Sequence, residues 1–352
     1  MTQEGGIVEG YKVAALYQFK ALDDPGGFCE HITNECKQRS ITGALILARE
    51  GINGTIAGRP EQMDQVLALL RDHFDDMELK FSFVDEEPFH RLRIRVKKEI
   101  VTMGLPLVND EQDLCDLSYR GEYLSGKEWN QLISDPSVKL IDTRNDYEIE
   151  IGSFINAIDP NTKSFKEFPK YVEDKIPLEE NKDRKIAMFC TGGVRCEKAS
   201  AFMKSLGYRN IYHLKGGILQ YLEDIPEEHN LFKGSCYVFD RRASVGHGLK
   251  SGDHIFCFVC RHPLSTHEIK QDPHYKEGVQ CRYCKDTVSQ KKKEGAANRQ
   301  HQMEIAKDNG EKHLGRKYSL GNGISKYNLA GDKYEKGENT NVNDNVNNGD
   351  TT

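Results

Sequence analysis

Residues 185–190 (KIAMFC) form a short apolar run that ends on a cysteine, and Thr191-Gly192-Gly193-Val194-Arg195 follows directly. A helix-forming stretch, CEKASAFMKSLGY, then opens near Cys196. Apolar strand, glycine turn and helix in that order commit the region to a parallel sheet, because strands with one wet face alternate instead. In such a loop the backbone N–H groups can curl toward the sulfur. The helix N-terminus adds the positive end of its dipole, and Arg195 adds a full charge. Glycines permit the dihedrals that this cradle needs and that a Cβ resists. The pattern predicts a thiol of depressed pKa at Cys190, a nucleophile able to hold sulfur as a persulfide. The plain alternative is a buried strand-end cysteine, since free cysteine is among the most buried residue types.

Residues 138–144 (VKLIDTR) and 210–218 (NIYHLKGGI) supply two more short strands, and Ser125 caps a helical stripe through Trp129, Leu132 and Ile133. Together these predict a three-layer α/β domain over 122–234. Upstream the grammar differs. Residues 11–18 read as a strand, 26–38 as a helix, and 41–50 with 52–58 as a hairpin around Glu50-Gly51. After Arg59-Pro60 a second helix places Met63, Val66, Leu67 and Leu70 on one face, and extended segments follow to about residue 100. The order β-α-β-β-α-β predicts a ferredoxin-like or acylphosphatase-like α+β sandwich over 8–100. Residues 101–121 read as a linker.

With 352 residues the chain has room for two to three domains at roughly 100–200 residues each. No run approaches the ~18 apolar residues that span a bilayer, and the N-terminus lacks a secretory pattern, so a cytoplasmic protein without membrane contact is expected. Ten cysteines in such a chain point to metal or catalysis rather than a disulfide frame. Cys257-x-x-Cys260 and Cys281-x-x-Cys284, twenty residues apart, each direct two sulfurs at one point. The pairs predict a structural Zn2+ site of four thiolates, which would also explain how a module at 235–287 with few apolar positions stays folded. Redox use of these thiols, or simple reduced cysteines, are the alternatives, and His262, His267 and His274 lie between the pairs as substitute ligands. Residues 288–352 turn to Lys, Asn, Gly and Asp and predict a disordered tail.

The segments LIDTRNDYE (140–148), FCTGGVRCEKAS (189–200) and LKGGI (214–218) resemble the rhodanese domain. That resemblance implies Cys190 as the active-site residue, with Thr191, Gly192, Gly193, Val194 and Arg195 as its loop and Asp142 and Arg144 as scaffold. Cysteine phosphatases use a similar loop with five residues between Cys and Arg. Here four intervene, which favours a sulfur-sized guest over a phosphate. The Gly-His-Ile-Pro-Gly-Ala type of turn common in rhodaneses is replaced by Gly152-Ser153-Phe154-Ile155-Asn156-Ala157. That departure, with REGINGTIAG (49–58), KKEIVTMG (97–104) and FKEFPKY (165–171), is similar to the rhodanese-like tRNA uridine hydroxylases, from about residue 10 to 285. The resemblance implies oxygen-dependent 5-hydroxylation of the wobble uridine, with molecular oxygen as co-substrate and the tRNA anticodon arm, rather than DNA, as partner. A persulfide-forming sulfurtransferase is the alternative function.

Residues 90–98 (HRLRIRVKK) alternate at period two, so Arg91, Arg93, Arg95 and Lys97 share one strand face while Leu92, Ile94 and Val96 are expected to enter the core. Four like charges on one face repel unless an anion lies over them, and an RNA backbone would serve. Neutralisation by the acids at 85–87 is the bland alternative. At the tip of the expected hairpin, Arg49 and Glu50 are read as substrate-facing, because turn geometry does not require them.

Overall fold

Period-two apolar patterning writes the N-terminal domain as a sheet with one face under helices. The structure, a computed structural model, describes residues 10–104 and 120–310. Its first domain runs β1 (Tyr11–Phe19), α1 (Pro25–Gln38), β2 (Thr42–Ala48), β3 (Gly51–Gly58), α2 (Pro60–Arg71), β4 (Glu78–Val84) and β5 (Leu92–Val96). The sheet order is β4-β1-β3-β2-β5, an α+β sandwich with β5 added parallel to β2 at one edge. Ile32 and Cys36 of α1, and Met63, Val66, Leu67 and Leu70 of α2, close over Leu16, Leu45, Leu47, Ile52 and Ile56. The opposite face carries Val13, Ala15, Tyr17, Ala44, Ile46, Asn53, Thr55, Lys80 and Ser82 toward the rest of the chain.

The second domain holds β6 (Glu122–Leu124), α3 (Gly126–Ile133), β7 (Lys139–Asp142), α4 (Asp146–Ile149), β8 (Gly152–Phe154), α5 (Phe168–Lys175) and α6 (Leu178–Asn181). It continues with β9 (Ile186–Phe189), α7 (Val194–Ser205), β10 (Ile211–Leu214) and α8 (Gly217–Asp224). Its four strands are parallel in the order β6-β10-β9-β7. Ser125 caps α3 in a reciprocal box with Glu128, as its position predicts. Trp129, Phe154, Phe189 and Tyr221 pack edge to face beneath the sheet.

The C-terminal module is built from small hairpins. Strand β11 (Phe232–Gly234) pairs with β8, β12 (Cys236–Tyr237) with β13 (Ser244–Val245), and β14 (His254–Phe256) with β15 (Pro263–Ser265), before α9 (Thr266–Gln271) and α10 (Gln290–Asp308). Disorder was expected from residue 288, but residues 290–308 are helical. Ala296 packs into the cysteine core, and Arg299 donates to the Gly278 carbonyl. The helix shows no apolar stripe because it is anchored by an alanine rather than by large side chains. The expected tail from 311, most of the 101–121 linker and Cys115 lie outside the described residues.

Two other expectations are corrected. Val96 is 48% exposed, because β5 is an edge strand and Val96 is its last residue. Glu50 is buried rather than substrate-facing: its carboxylate accepts from the Ile100 N–H (2.6 Å) and pairs with Lys198 of α7 at 2.8 Å. Lys198, itself buried, also meets Glu99 at 2.8 Å. The hairpin tip is thus an ionic strut between the first two domains, and only Arg49 there is exposed.

Candidate functional site

The loop after β9 is shaped by glycine. Gly193 has φ 101°, a left-handed conformation that turns its own N–H toward the Cys190 sulfur at 3.1 Å. Helix α7 begins at Val194, two residues before the expected start, so Arg195 and Cys196 lie in its first turn. Burial pushes the Cys190 thiol up. A hydrogen bond from the Cys196 thiol, the Arg195 guanidinium, and the backbone N–H groups of Arg195 and Cys196 outweigh it and bring Cys190 down to about 6. The partner thiol moves the other way: burial and the nearby Cys190 sulfur push Cys196 well up. From below, Ile218 and Leu219 donate to the carbonyls of Cys190 and Thr191 (3.0 and 3.1 Å). A side chain on Gly217 would collide with both carbonyls at 2.6 Å, which explains the glycine in LKGGI.

Arg195 does not act on the thiol as a free charge. Its guanidinium meets both oxygens of Glu148, at 2.6 and 2.8 Å; the Glu148 side chain is fully buried and that of Arg195 is 11% exposed. Glu148 in turn accepts from the Asn145 N–H at the start of α4, and its carbonyl receives Arg144 at 3.2 Å. Arg144 is fully buried, forked onto Asp142 at 2.9 and 2.7 Å, and reaches the Gly152 carbonyl at 2.6 Å. Asp142 and Arg144 thus have the scaffold role implied for them. Glu148 ends the segment LIDTRNDYE, but no role follows from that position, and only the fold brings it to Arg195.

Cys190 is about 1% exposed, yet it lines a cavity of about 430 Å³ to which all three modules contribute. The open sheet face of the first domain supplies Tyr17, Asn53 and Thr55, the thiol loop supplies residues 190–195, and the C-terminal module supplies Val238, Phe239 and Arg242. Such a volume lies within the ~300–1,000 Å³ of small-ligand sites. Phe239 is 56% exposed as well as lining the cavity. Arg242 is locked onto Asp240 and Ser82, and the Arg241 N–H donates to the Pro88 carbonyl, which fastens this turn to the segment ahead of β5.

The basic strand shares the cavity's side of the sheet. In the parallel β2–β5 ladder Ala44 is opposite Arg93 and Ile46 opposite Arg95, and ladder partners project to the same face. Ala44 and Ile46 both line the cavity. Among the described residues, no carboxylate stands within ion-pair distance of Arg91, Arg93, Arg95 or Lys97, and Glu86 is turned to Arg241 instead at 3.9 Å. Burial, then the charges of Arg91 and Arg95, pull Arg93 below its usual value.

In the C-terminal module the sulfurs of Cys257, Cys260, Cys281 and Cys284 all lie within 4.8 Å of one another. The pairs 257–284, 260–281 and 281–284 stand at 3.8, 3.6 and 3.9 Å. Tetrahedral metal–sulfur bonds of about 2.3 Å put sulfurs about 3.8 Å apart, so the cluster fits a metal ion. His262 is not among the ligands: it pairs with Glu150 (2.7 Å) and stacks on Tyr283.

Comparison with known proteins places this geometry. Residues 11–100 match the UPF0176 acylphosphatase like domain and residues 125–224 the rhodanese-like domain. The tRNA uridine(34) hydroxylase of Teredinibacter turnerae is 47% identical over 307 residues, 87% of this chain and 93% of that protein. The chain belongs to the tRNA uridine(34) hydroxylase family. The protein of the same name from Agrobacterium fabrum is 48% identical over 308 residues, 87% of this chain and 95% of its own. A rhodanese-related protein from Thermoplasma volcanium is 25% identical with a TM-score of 0.24, covering 31% of this chain and 96% of that one. The family match spans all three modules that line the Cys190 cavity. No helix among the described residues is long and apolar enough to cross a membrane.

Proposed function

We propose that the protein hydroxylates C5 of the wobble uridine of tRNA, with Cys190 as its nucleophile and molecular oxygen as co-substrate. The observation that carries this reading is the single sheet face running from Arg93 and Arg95 to the cavity that holds Cys190. On it the anticodon arm lays its phosphates along Arg91, Arg93, Arg95 and Lys97 and splays the uracil into the cavity, where Phe239 offers a stacking surface. Transfer of a single sulfur atom would not require a chamber of about 430 Å³.

The thiolate of Cys190 adds to the electron-poor C6 of uracil, and the enolate that forms makes C5 nucleophilic toward a peroxide-level oxygen. That oxygen is formed from molecular oxygen with two electrons from an external reductant, and its O–O bond breaks to leave one oxygen on C5 and release the other as water. Loss of the C5 proton and of the sulfur then restores the C5–C6 double bond. The four-cysteine cluster holds Zn2+, which would have no open position and would staple the C-terminal module rather than react. The setting is cytoplasmic.

Mass spectrometry of tRNA nucleosides tests the reading. A strain lacking the protein is expected to lose 5-hydroxyuridine-derived nucleosides, wild type to restore them and Cys190→Ser not to. An unchanged profile in all three would overturn it. For the basic strand, Arg93→Ala with Arg95→Ala is expected to weaken tRNA binding and flatten its salt dependence by about one unit of slope per arginine. Binding that keeps the wild-type slope would remove the strand from the interface.

A further inference from the structure

The N-terminal domain reaches the thiol loop with one hydroxyl group. Tyr17, on the cavity face of β1, lines the cavity of Cys190 and is itself only 7% exposed. Its oxygen sits against Gly193, where a Cβ would come within 2.9 Å of it. Gly193 is the residue whose N–H points at the Cys190 sulfur. The Tyr17 hydroxyl donates to Glu197 of α7 at 3.0 Å, and Tyr123 donates to both oxygens of the same carboxylate at 2.7 and 2.8 Å. Glu197 is 2% exposed, and its nearest cation, the half-exposed Arg120, stands 3.8 Å away.

Behind this group lies a second cavity of about 280 Å³, lined by Glu197, Tyr123, Arg120, Glu78 and Lys215. Tyr17 lines both chambers, so its ring forms part of the wall between them. A carboxylate buried with only a half-exposed arginine 3.8 Å away is expensive, and a brace between domains would not need one. Burial lifts the Glu197 carboxyl above the ordinary carboxylate range against its hydrogen bonds from Tyr123 and Tyr17 and the charge of Arg120. That makes it a better proton acceptor than an exposed glutamate.

We propose that Tyr17 is a catalytic acid–base residue of the Cys190 cavity and that Glu197, a positioning residue behind it, receives the proton released from uracil C5. The inference rests on the hydroxylase reading above. In the closing step the C5–H bond breaks and its electron pair forms the C5–C6 double bond. The C6–sulfur pair returns to Cys190 as thiolate. The released proton passes to the Tyr17 oxygen while the Tyr17 proton moves along its hydrogen bond to Glu197, which leaves the carboxyl neutral and consumes no oxidant. Tyr17 comes from the first domain and Glu197 from the second, so the pair exists only where the two domains meet.

The test uses the full chain with Tyr17→Phe and Glu197→Gln, each of which keeps its side chain's shape. Both are expected to lower kcat about 100-fold or more, the scale of general acid–base catalysis. Affinity for tRNA and the rate of Cys190 alkylation should stay at wild-type values. A covalent adduct between Cys190 and tRNA should accumulate on denaturing gels, which a merely structural defect would not produce. Wild-type kcat in Tyr17→Phe, or a loss of kcat without adduct, overturns the assignment while leaving the hydroxylase reading intact. A wild-type protein that fails to hydroxylate tRNA overturns both.

Discussion

Glu148→Gln is expected to destabilise the protein by about 3–5 kcal/mol, the scale of losing one partner of a buried ion pair. The carboxylate lies fully buried against the Arg195 guanidinium at 2.6 and 2.8 Å. A glutamine keeps the shape and one hydrogen bond but leaves Arg195 buried without its counter-charge. Burial pushes the Glu148 carboxyl up, but Arg195, then Arg144 and the Asn145 N–H, hold it below the usual carboxylate range. A carboxyl with a depressed folded pKa adds stability that is present above its unfolded pKa of about 4.3 and is lost as pH falls through the folded value. Urea denaturation of wild type and variant at neutral pH should therefore differ by the full amount, and the gap should close in acid. Equal midpoints at neutral pH would contradict the account. The same substitution loosens Arg195 and should slow Cys190 alkylation.

Removal of the Zn2+ proposed for the cysteine cluster is expected to have the other large effect. The C-terminal module has a core of a few residues, Val259, Leu264 and Ala296 beside the cysteines, and so lacks the apolar area that would hold it. Binding of a structural Zn2+ contributes roughly 10–16 kcal/mol in small domains of this kind, which is the folding energy of the module itself. Purified protein should carry one zinc per chain. Chelation, or Cys257→Ser with Cys281→Ser, should expose residues 250–300 to protease while the first two domains resist it. Phe239 and Arg242 belong to the same C-terminal module, so tRNA hydroxylation should fall with it. Protein without metal that resists protease equally well would contradict the assignment.

Local patterning carried much of this structure. The helix faces of Met63 to Leu70, the hairpin at Glu50-Gly51, the Ser125 cap and the β9–loop–α7 unit are all set by residues within a few positions of one another. The paired C-x-x-C turns are equally local, and the cluster they form follows from two of them meeting. What stayed hidden joins residues far apart in the chain. Glu148 to Arg195, Glu50 to Lys198 and Tyr17 to Glu197 are pairs in which neither member's own segment points to its partner. Glu148 meets Arg195 only when the second domain folds, and the other two pairs form only when the first domain meets α7. The basic strand lies between these cases, because its alternation was visible but the chamber on the same face was not. Helix α10 was missed for a different reason: its contacts are made by an alanine and by polar side chains.

The central claim is that Cys190 is a thiolate at neutral pH inside a cavity that admits a small molecule. The pH dependence of its alkylation by iodoacetamide, followed by mass spectrometry of the 189–200 peptide, tests this directly. Reaction tracks the thiolate fraction, so the rate should rise with pH through a midpoint near 6 and be nearly level above neutrality. A midpoint at the ordinary thiol value of about 8.5, or no labelling of Cys190 in the folded protein at any pH, would contradict it.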